Sequence, residues 1–275
     1  MSHKALYRVW RPQWFRDVAG QQHITRTLQN SLKEGRISHA YLFCGPRGTG
    51  KTSAAKILAK AVNCLNGPAE EPCNECEVCK RITDGSEMGV LEIDAASNRG
   101  IDEIRNLRDK MIFAYSEVRM KVYIIDEVHM LTTEAFNALL KTLEEPPPNV
   151  MFILATTEPH KLPATIISRC QRFDFRRVPL EEQVERLQFV CGQEGIDLEP
   201  KAAEYISRLS DGGMRDALSI LDQAISYCGS RVTYEDIVSM TGGIASEAFE
   251  ELAGSIRRGD IPSALQWIEN MIQEG

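Results

Sequence analysis

The sequence lacks long apolar segments and has no excess of positive charge. No stretch approaches the roughly eighteen apolar residues of a membrane-spanning helix, so we predict no transmembrane segment. The first residues, 1–11, carry several cations and no apolar core, which argues against a signal peptide and favours the cytoplasm. The formal net charge of −7 argues against a protein that coats nucleic acid unaided, although it is compatible with a local basic patch.

Internal repeats and low-complexity stretches are also absent, and the remaining composition is that of a soluble globular protein. The chain has 275 residues, of which 43% are hydrophobic and 26% are charged. Such a chain exceeds one ordinary domain and is long enough to bury a sizeable core.

One segment matches the phosphate-binding pattern G-x-x-x-x-G-K-[ST] in full. It consists of Gly45, Pro46, Arg47, Gly48, Thr49, Gly50, Lys51 and Thr52. The apolar residues 40–43 before it predict a buried strand, and residues 52–62 after it predict a helix. Such a turn directs backbone N–H groups and the positive end of the helix dipole at one point. We therefore predict a nucleoside triphosphate site in which Lys51 reaches the phosphates and Thr52 binds Mg²⁺.

A second apolar segment, Lys121 to Ile125, ends in the acidic pair Asp126 and Glu127. Its β-branched residues are typical of a central parallel strand, whose carboxyl end lies at the ligand-binding edge of the sheet. Asp126 is then the second candidate to hold Mg²⁺, through water. Glu127 is the candidate to orient or deprotonate the water that attacks the γ-phosphorus. Two acids at this point favour hydrolysis over nucleotide sensing alone.

Four of the eight cysteines lie close together in the sequence, and they are Cys64, Cys73, Cys76 and Cys79. The spacing C-x₈-C-x₂-C-x₂-C allows four thiolates to surround one tetrahedral Zn²⁺. Disulfides are an alternative that a reducing cytosol disfavours. An iron–sulfur cluster also fits four thiolates, but nothing else in the sequence indicates redox chemistry. Because four thiolates leave no open position on zinc, the ion would be structural rather than catalytic.

Strands and helices alternate up to about residue 178, and only helices follow. The predicted strands are 40–43, 90–93, 121–125, 150–155 and 170–175, and the predicted helices between them include 21–36, 52–62, 101–112 and 133–143. This alternation predicts an α/β domain whose parallel sheet is covered on both faces. Beyond Pro179 we predict helices at 180–194, 200–210, 214–227 and 233–240, and a further helical region after them.

An α/β phosphate-loop domain followed by a small helical domain resembles the AAA+ ATPases, and the resemblance covers residues 1–241. Ser168-Arg169-Cys170, the segments 126–131 and 136–147 and the four-cysteine insertion are similar to the clamp-loader ATPases of bacterial DNA polymerase III. Within that group the related delta-prime subunits share the zinc module but typically lack a working phosphate loop. The intact loop therefore favours the gamma/tau family.

The resemblance implies a division of the chain into three parts. Residues 1–178 would form the AAA+ P-loop NTPase domain, with its parallel sheet and a zinc-binding insertion at 64–79. Residues 179–241 would form a helical lid domain. Residues 242–275 would be the truncated start of a helical collar domain, which joins the subunits of the family's oligomers.

The resemblance also implies roles for single residues. Thr157, with Thr156 beside it, matches the first sensor, a polar group near the γ-phosphate. Arg215 matches the second sensor, and Arg169 matches an arginine finger that acts in trans on the ATP of a neighbouring subunit. The residues that would bind ATP are Tyr7, Arg8, Arg11 and Val18 around the adenine and ribose, Gly45, Pro46, Arg47, Gly48, Thr49, Gly50, Lys51, Thr52 and Ser53 in the loop, and Thr157 and Arg215.

Structural alternatives stay open for several of these residues. The two threonines are also suited to the capping of a strand end, and Arg215 is also suited to a helical ion pair with Asp216 or Asp222. The aromatic side chains of the N-terminal segment could simply pack against the lid. Primer–template DNA would be held by phosphate contacts from Asn98, Arg99 and Arg105 at the start of the predicted helix 101–112, or that helix has an ordinary solvated face.

The function implied by the resemblance is that of an ATP-hydrolysing motor subunit in a clamp loader. Its expected cofactors are ATP, Mg²⁺ and structural Zn²⁺. Its expected partners are the delta and delta-prime subunits, further gamma/tau copies, the sliding clamp and primer–template DNA, with no membrane. Two other functions are carried as alternatives: a non-catalytic scaffold subunit that binds nucleotide, and another AAA+ machine such as a branch-migration motor or a helicase loader.

Overall fold

A five-stranded parallel sheet forms the centre of the first domain. The computed structural model describes residues 4–67, 69–98, 100, 118–242 and 253–274, with side chains up to residue 269. The strands are β1 (Ala40–Cys44), β2 (Val90–Asp94), β3 (Lys121–Asp126), β4 (Val150–Thr156) and β5 (Gln171–Asp174). They lie in the order β2-β3-β4-β1-β5, and all neighbours are parallel. Each predicted strand is present, and no predicted end differs from the observed one by more than one residue.

Helices cover both faces of this sheet because the side chains of its central strands are apolar on both sides. Tyr41 and Phe43 of β1 point into one core, and Leu42 and Cys44 point into the other. The first core is closed by the helices Gln22–Lys33 and Lys51–Asn63, and the second by Thr133–Glu144 and Ala164–Ile167. A continuous apolar strand such as β1, in which every residue is buried, is what a doubly covered parallel sheet requires.

The register of the sheet places the functional candidates along one edge. Cys44, the last residue of β1, pairs with Thr156 of β4 on one side and with Asp174 of β5 on the other. Asp126 ends β3, next to β4. Because all strands are parallel, the phosphate loop after β1, the acids at the end of β3 and the threonines at the end of β4 meet at the same edge.

A small helical domain follows the sheet. Its helices are Leu180–Glu194, Pro200–Leu209, Met214–Cys228 and Tyr234–Thr241, and they pack around a separate apolar core. Gly195 and Gly229 follow the first and third of these helices with positive φ. A two-stranded parallel pair, β6 (Asp197–Leu198) with β7 (Arg231–Val232), also joins the helices.

Further elements lie at the start, in the cysteine insertion and at the end of the described chain. The N-terminal segment contains the short helix Leu6–Val9 and the 3-10 helix Phe15–Asp17, and the insertion contains the helix Glu77–Asp84. A helix at 253–258 and the helix Ile261–Glu274 follow the lid. The predicted helix 101–112 lies outside the described residues. In the described ranges, none of the helices has the length and apolar character needed to cross a membrane.

Candidate functional site

The loop between β1 and the helix Lys51–Asn63 has a backbone that only glycine adopts readily at three positions. Gly45, Gly48 and Gly50 have φ of 145°, 76° and 100°. At Gly45 an added Cβ would also lie 2.3 Å from the carbonyl oxygen of Phe175, far inside van der Waals contact. The sequence pattern therefore has a steric cause, because the loop leaves no space for a side chain at its first glycine.

Lys51 and Thr52 begin the helix that follows this loop. The Lys51 Nζ donates to the carbonyl oxygens of Gly45 and Pro46, each at 2.7 Å, and the residue is only 6% exposed. Burial lowers the pKa of its ammonium, while the nearby carboxylates of Glu127 and Asp126 act to raise it. The two carbonyl oxygens carry no net charge, so they do not neutralise the ammonium. A partly desolvated cation at the start of a helix is well suited to a phosphate group.

The side chains of Thr52 and Asp126 meet across the gap between the loop and β3. The Thr52 Oγ1 donates to the Asp126 Oδ2 over 2.8 Å. The hydroxyl and the carboxylate are 74 positions apart in the sequence. Both are oxygen ligands, the type that Mg²⁺ takes, and the donor set therefore fits this ion.

Glu127 follows Asp126 with an unusual backbone. Its φ of 47° lies in the left-handed region, where a residue other than glycine is disfavoured by about 1–2 kcal/mol. Its Oε2 accepts hydrogen bonds from the backbone nitrogen and the hydroxyl of Thr157, at 3.2 and 2.9 Å. Strained residues of this kind concentrate at functional sites, where the surrounding contacts hold them in place. Of the two candidate threonines, Thr157 is thus the one that contacts the candidate base.

His129 joins the ends of β3 and β4, and no sequence motif pointed to it. Its Nδ1 lies 3.0 Å from the Thr156 hydroxyl and 3.4 Å from the Glu127 Oε2, and its Nε2 lies 3.1 Å from the Glu158 Oε2. The side chain is 6% exposed. The signal was present in the segment 126–131, where a histidine lies two residues after the acidic pair. Its partners Thr156, at the end of β4, and Glu158, in the turn after it, are however 27 and 29 positions further along the chain.

The helical lid contacts the phosphate loop through backbone groups. The Met214 nitrogen, at the start of the helix Met214–Cys228, donates to the Gly48 carbonyl oxygen at 3.0 Å. A Cβ on Gly48 would lie 3.1 Å from the Gly213 Cα, so the two backbones are close because both residues lack side chains. Arg215, one residue further on, lies with its Cζ 4.9 Å from the centre of the Tyr7 ring. The lid therefore places a cation beside both the loop and the N-terminal segment.

The predicted adenine-binding residues of the N-terminal segment lie beside these groups. The Arg8 Nε donates to the Tyr7 hydroxyl at 3.2 Å, and the Arg11 Nε donates to the Ser53 hydroxyl at 3.3 Å. Val18 is buried, and its Cγ1 lies 3.1 Å from the position of a Cβ on Gly50. The segment thus follows the loop and the first turn of its helix. In the loop itself, Pro46 and Arg47 are exposed, and the Thr49 hydroxyl donates to the Pro46 carbonyl at 2.8 Å.

Arg169 makes contacts of a different kind. Its Nη2 pairs with the Glu144 Oε1 at 2.8 Å, and its Nη1 donates to the Thr165 carbonyl at 2.9 Å. Its side chain is 34% exposed, so the guanidinium lies at the surface. These contacts place Arg169 next to the end of the helix Thr133–Glu144 and leave part of it accessible to another molecule.

The four clustered cysteines come together in space. Their sulfur atoms all lie within 4.8 Å of one another, and Cys64, Cys73 and Cys76 each accept a bond from a backbone N–H. In a tetrahedral site with Zn–S bonds of about 2.3 Å the sulfurs are about 3.8 Å apart, so the cluster fits zinc. Burial raises the pKa of the Cys73 thiol, but the amides of Cys76 and Glu75 together with neighbouring thiols lower it to about 6. Burial raises the pKa of the Cys64 and Cys79 thiols, so of these three cysteines Cys73 most readily supplies a thiolate to a metal.

Only part of the predicted DNA-contacting region can be located. The Asn98 side chain donates through Nδ2 to the Asp94 carbonyl at 3.0 Å, in the turn that follows β2. Arg99, Arg105 and the helix predicted at 101–112 lie outside the described residues. The proposed DNA contacts stay predictions.

Comparison with protein families relates this site to bacterial replication proteins. A family model described as "DNA polymerase III, delta subunit" matches residues 20–179. A second, described as "DNA polymerase III clamp loader subunit, ATPase lid domain", matches residues 183–230. The boundary between the two matches lies beside Pro179, where the sheet gives way to helices.

Several curated relatives are similar along most of this chain. DNA polymerase III subunit tau of Bacillus subtilis is 58% identical over 275 residues, which are 100% of this chain and 49% of the relative. The corresponding subunit tau of Escherichia coli is 48% identical over 88% of this chain and 38% of its own length. DNA polymerase III subunit gamma of Buchnera aphidicola is 44% identical over 88% of this chain and 67% of its own length. The chain thus spans about half or less of the tau relatives.

The fold also has solved counterparts. The "RuvB Holliday junction branch migration motor" of Thermotoga maritima superposes with a TM-score of 0.62 at 16% identity, over 90% of this chain and 79% of that one. A point variant of the same protein gives a TM-score of 0.63 over the same shares of the two chains. This likeness concerns the fold alone, and together with the match to the ATPase lid model it confirms the expected AAA+ P-loop fold with a helical lid.

Proposed function

The chain belongs to the gamma/tau family of bacterial DNA polymerase III subunits, and from this we propose that it is an ATP-hydrolysing motor subunit of a clamp loader. In this function, ATP binding orders a ring of subunits that opens the sliding clamp, and primed DNA triggers hydrolysis and release of the clamp. The observation that carries the proposal is the junction of the phosphate loop with β3, where Thr52 bonds to Asp126 and Glu127 lies next in the chain. ATPase activity without polymerisation is the chemistry that these residues support.

We assign the central roles to the residues of this junction. Lys51 neutralises the β- and γ-phosphates, and the N–H groups of the loop bind their oxygens. Thr52 and Asp126 hold Mg²⁺, which stabilises the negative charge of the transferring phosphoryl group when bound. Glu127 orients the attacking water and accepts its proton. Thr157, whose hydroxyl donates to Glu127, is assigned the role of the first sensor, a polar group near the γ-phosphate.

Residues on other elements complete the proposed site. Arg215 reaches the nucleotide from the lid of the same subunit, and Arg169 acts in trans on the nucleotide of a neighbouring subunit. Tyr7, Arg8, Arg11 and Val18 surround the adenine and ribose. The exposed guanidinium of Arg169 supports its assignment, since a finger must be accessible to another subunit.

Cys64, Cys73, Cys76 and Cys79 hold a structural Zn²⁺. Residues 1–178, 179–241 and 242–275 belong to the ATPase domain, the lid and a helical collar. The partners are delta, delta-prime, further gamma/tau copies, the sliding clamp and primer–template DNA, and the assembly works in the cytoplasm.

Two substitutions separate binding from hydrolysis and so test the proposal. We expect Lys51→Ala to abolish tight ATP binding, because the lysine neutralises phosphate charge before the reaction begins. Glu127→Gln should keep ATP binding and lose turnover, because the carboxylate matters only when water attacks. Binding is measured by calorimetry on this chain, and turnover in a loader assembled from the full-length protein. A Glu127→Gln loader that hydrolyses ATP at the parental rate would show that Glu127 is not the base.

The two alternative functions predict other results in the same assays. A scaffold subunit would bind ATP but show no single-turnover hydrolysis in the assembled loader. A branch-migration motor or helicase loader would hydrolyse ATP without stimulation by the sliding clamp. The RuvB structures share the fold at 16% identity, and this likeness does not extend to their reaction.

A further inference from the structure

The loop that leads into the cysteine cluster is bonded to the N-terminal segment through Glu71. Its Oε2 accepts from the Phe15 nitrogen at 2.8 Å, and its Oε1 accepts from the Arg16 nitrogen at 3.1 Å. The Gln29 side chain donates to the same Oε1 at 3.0 Å. The first backbone N–H groups of a helix have no acceptor within the helix. The Glu71 carboxylate supplies an acceptor for two of these groups at the start of the 3-10 helix Phe15–Asp17. Bonds of this charge-assisted kind are among the stronger ones in proteins.

A second connection starts from within the cysteine cluster. Asn74 follows Cys73 directly and has a left-handed backbone, with φ of 58°. Its Nδ2 donates to the Gln13 carbonyl at 3.0 Å, and its Oδ1 accepts from the Lys60 Nζ at 2.5 Å. Lys60 is 1% exposed, and it donates also to the Gln13 Oε1 at 2.7 Å. The cysteine cluster, the phosphate-loop helix and the N-terminal segment thus share one group of hydrogen-bonded polar side chains around the buried Lys60.

The opposite side of this segment faces the nucleotide site. The Gln13 side chain donates to the Arg11 carbonyl at 3.0 Å, and Arg11 in turn contacts Ser53 of the phosphate-loop helix. Val18 packs against Gly50. Residues 11–18 therefore lie between the cysteine cluster and the loop, and apart from the short 3-10 helix they have no regular structure. Their position depends on the groups that hold them from either side.

We propose that the cysteine module, residues 64–79, positions segment 11–18 and thereby forms the adenine-and-ribose side of the ATP site. Glu71 and Asn74 are positioning residues in this arrangement, and they act through the segment rather than on the nucleotide. The proposal rests on the proposed ATP site. It assigns to the module a selective effect on the nucleoside part of the ligand, while the phosphate loop binds the triphosphate part on its own.

Two ligands and one matched pair of variants test this. ATP uses both parts of the site, whereas inorganic tripolyphosphate lacks the nucleoside, and both are titrated into this chain by calorimetry with Mg²⁺ present. For Glu71→Ala we expect the Kd for ATP to rise roughly tenfold, from the loss of charge-assisted hydrogen bonds, and the Kd for tripolyphosphate to stay unchanged. The control is Glu70→Ala, which removes an adjacent carboxylate of the same charge that pairs with the exposed Lys33, and should change neither Kd.

Three further measurements separate positioning from folding. Glu71→Gln should recover part of the ATP affinity, since an amide oxygen still accepts hydrogen bonds. Asn74→Ala should produce the same selective loss of ATP affinity. Removal of the cluster's zinc from the parent protein by a chelator, before the titration with Mg²⁺, should produce it as well. Equal losses for both ligands, or no loss for ATP in Glu71→Ala, would overturn the proposal. If Lys51→Ala leaves ATP binding intact, the ATP site itself has failed, and this result is distinct from a failure of the module to influence it.

Discussion

At the scale of single residues, the least expected feature is His129, whose ring lies between the carboxylates of Glu127 and Glu158. His129 contacts Thr156, Glu127 and Glu158 at once, and its ring is almost entirely buried. The Thr156 hydroxyl also accepts from the Glu158 nitrogen at 3.0 Å, which fixes the turn after β4. The Glu127 side chain is thus fixed by hydrogen bonds from Thr157 on one side and lies next to the His129 ring on the other. These contacts hold a residue whose own backbone is strained.

We expect His129→Ala to slow ATP hydrolysis by about tenfold to a hundredfold, because a displacement of Glu127 by about 1 Å is enough for a loss of this size. The affinity for ATP should not change, since the histidine does not belong to the phosphate loop. Single-turnover hydrolysis and nucleotide binding are compared in the assembled loader. His160→Ala, which alters an exposed histidine of the same region, is the control. A parallel fall in affinity and rate would indicate general damage to the sheet edge.

Lys51, Thr52 and Asp126 could be predicted from the sequence, and His129 could not. The difference lies in whether the spatial neighbours of each residue follow from the local sequence. Lys51 and Thr52 belong to a continuous pattern, and their local backbone follows from the strand, the glycines and the helix. Asp126 could be placed beside them because parallel strands end at a common edge. His129 could not be paired with Thr156 and Glu158, because this pairing depends on β3 and β4 being adjacent, which the sequence alone does not determine.

At the scale of elements, the strands with continuous apolar sequences were the easiest to predict. β1, β3 and β4 are buried along most or all of their length, and their predicted ends differ from the observed ones by one residue. The pair β6–β7 was not predicted, because two residues per strand are too few for a periodic pattern. The helix Glu77–Asp84 was missed for another reason, since it has only eight residues and its N-terminal cap is the Cys76 sulfur rather than one of the usual capping side chains.

We expect that removal of zinc unfolds this helix and leaves the phosphate-loop helix folded. The helix has eight residues, too few to be stable alone in water, and Zn²⁺ contributes about 10–16 kcal/mol to the folding of isolated finger-like peptides at neutral pH. Amide hydrogen exchange should show loss of protection at 77–84 after chelation, with protection at 51–63 retained. Freshly purified protein that contains no stoichiometric zinc by elemental analysis would refute the assignment of the metal.

At the scale of the whole molecule, the candidate arginine finger, Arg169, acts in the proposed mechanism on the nucleotide of a neighbouring subunit and not on that of its own chain. Arg169 pairs in this structure with Glu144, and it must leave this partner to reach the nucleotide of another subunit. The pair is partly exposed on both sides, so its contribution to stability is modest, about 0–1 kcal/mol. Such a weak pair is readily exchanged for a phosphate.

The chain alone should therefore bind ATP and hydrolyse it slowly, since a finger supplied across an interface is worth about 10³–10⁵ in rate. In a full-length assembly, Arg169→Ala should remove the stimulation by clamp and DNA with only a modest loss of affinity. Mixed oligomers give the decisive measurement. Activity should return where the intact loop of an Arg169→Ala subunit meets the intact finger of a Lys51→Ala subunit. If demonstrably mixed oligomers stay inactive, Arg169 does not act in trans.

The hydrogen bond from Met214 to Gly48 attaches one end of the lid helix to the phosphate loop, so a change in the loop can tilt the whole helix. The helix Met214–Cys228 has 15 residues and so extends about 22 Å from that point. A tilt of roughly 10° at the loop would therefore move its far end by about 4 Å, and Tyr234–Thr241, which packs against it, would follow. A small change in the backbone of the phosphate loop would therefore produce a displacement of several Å at the far end of the lid, which is large enough to shift the elements that follow it.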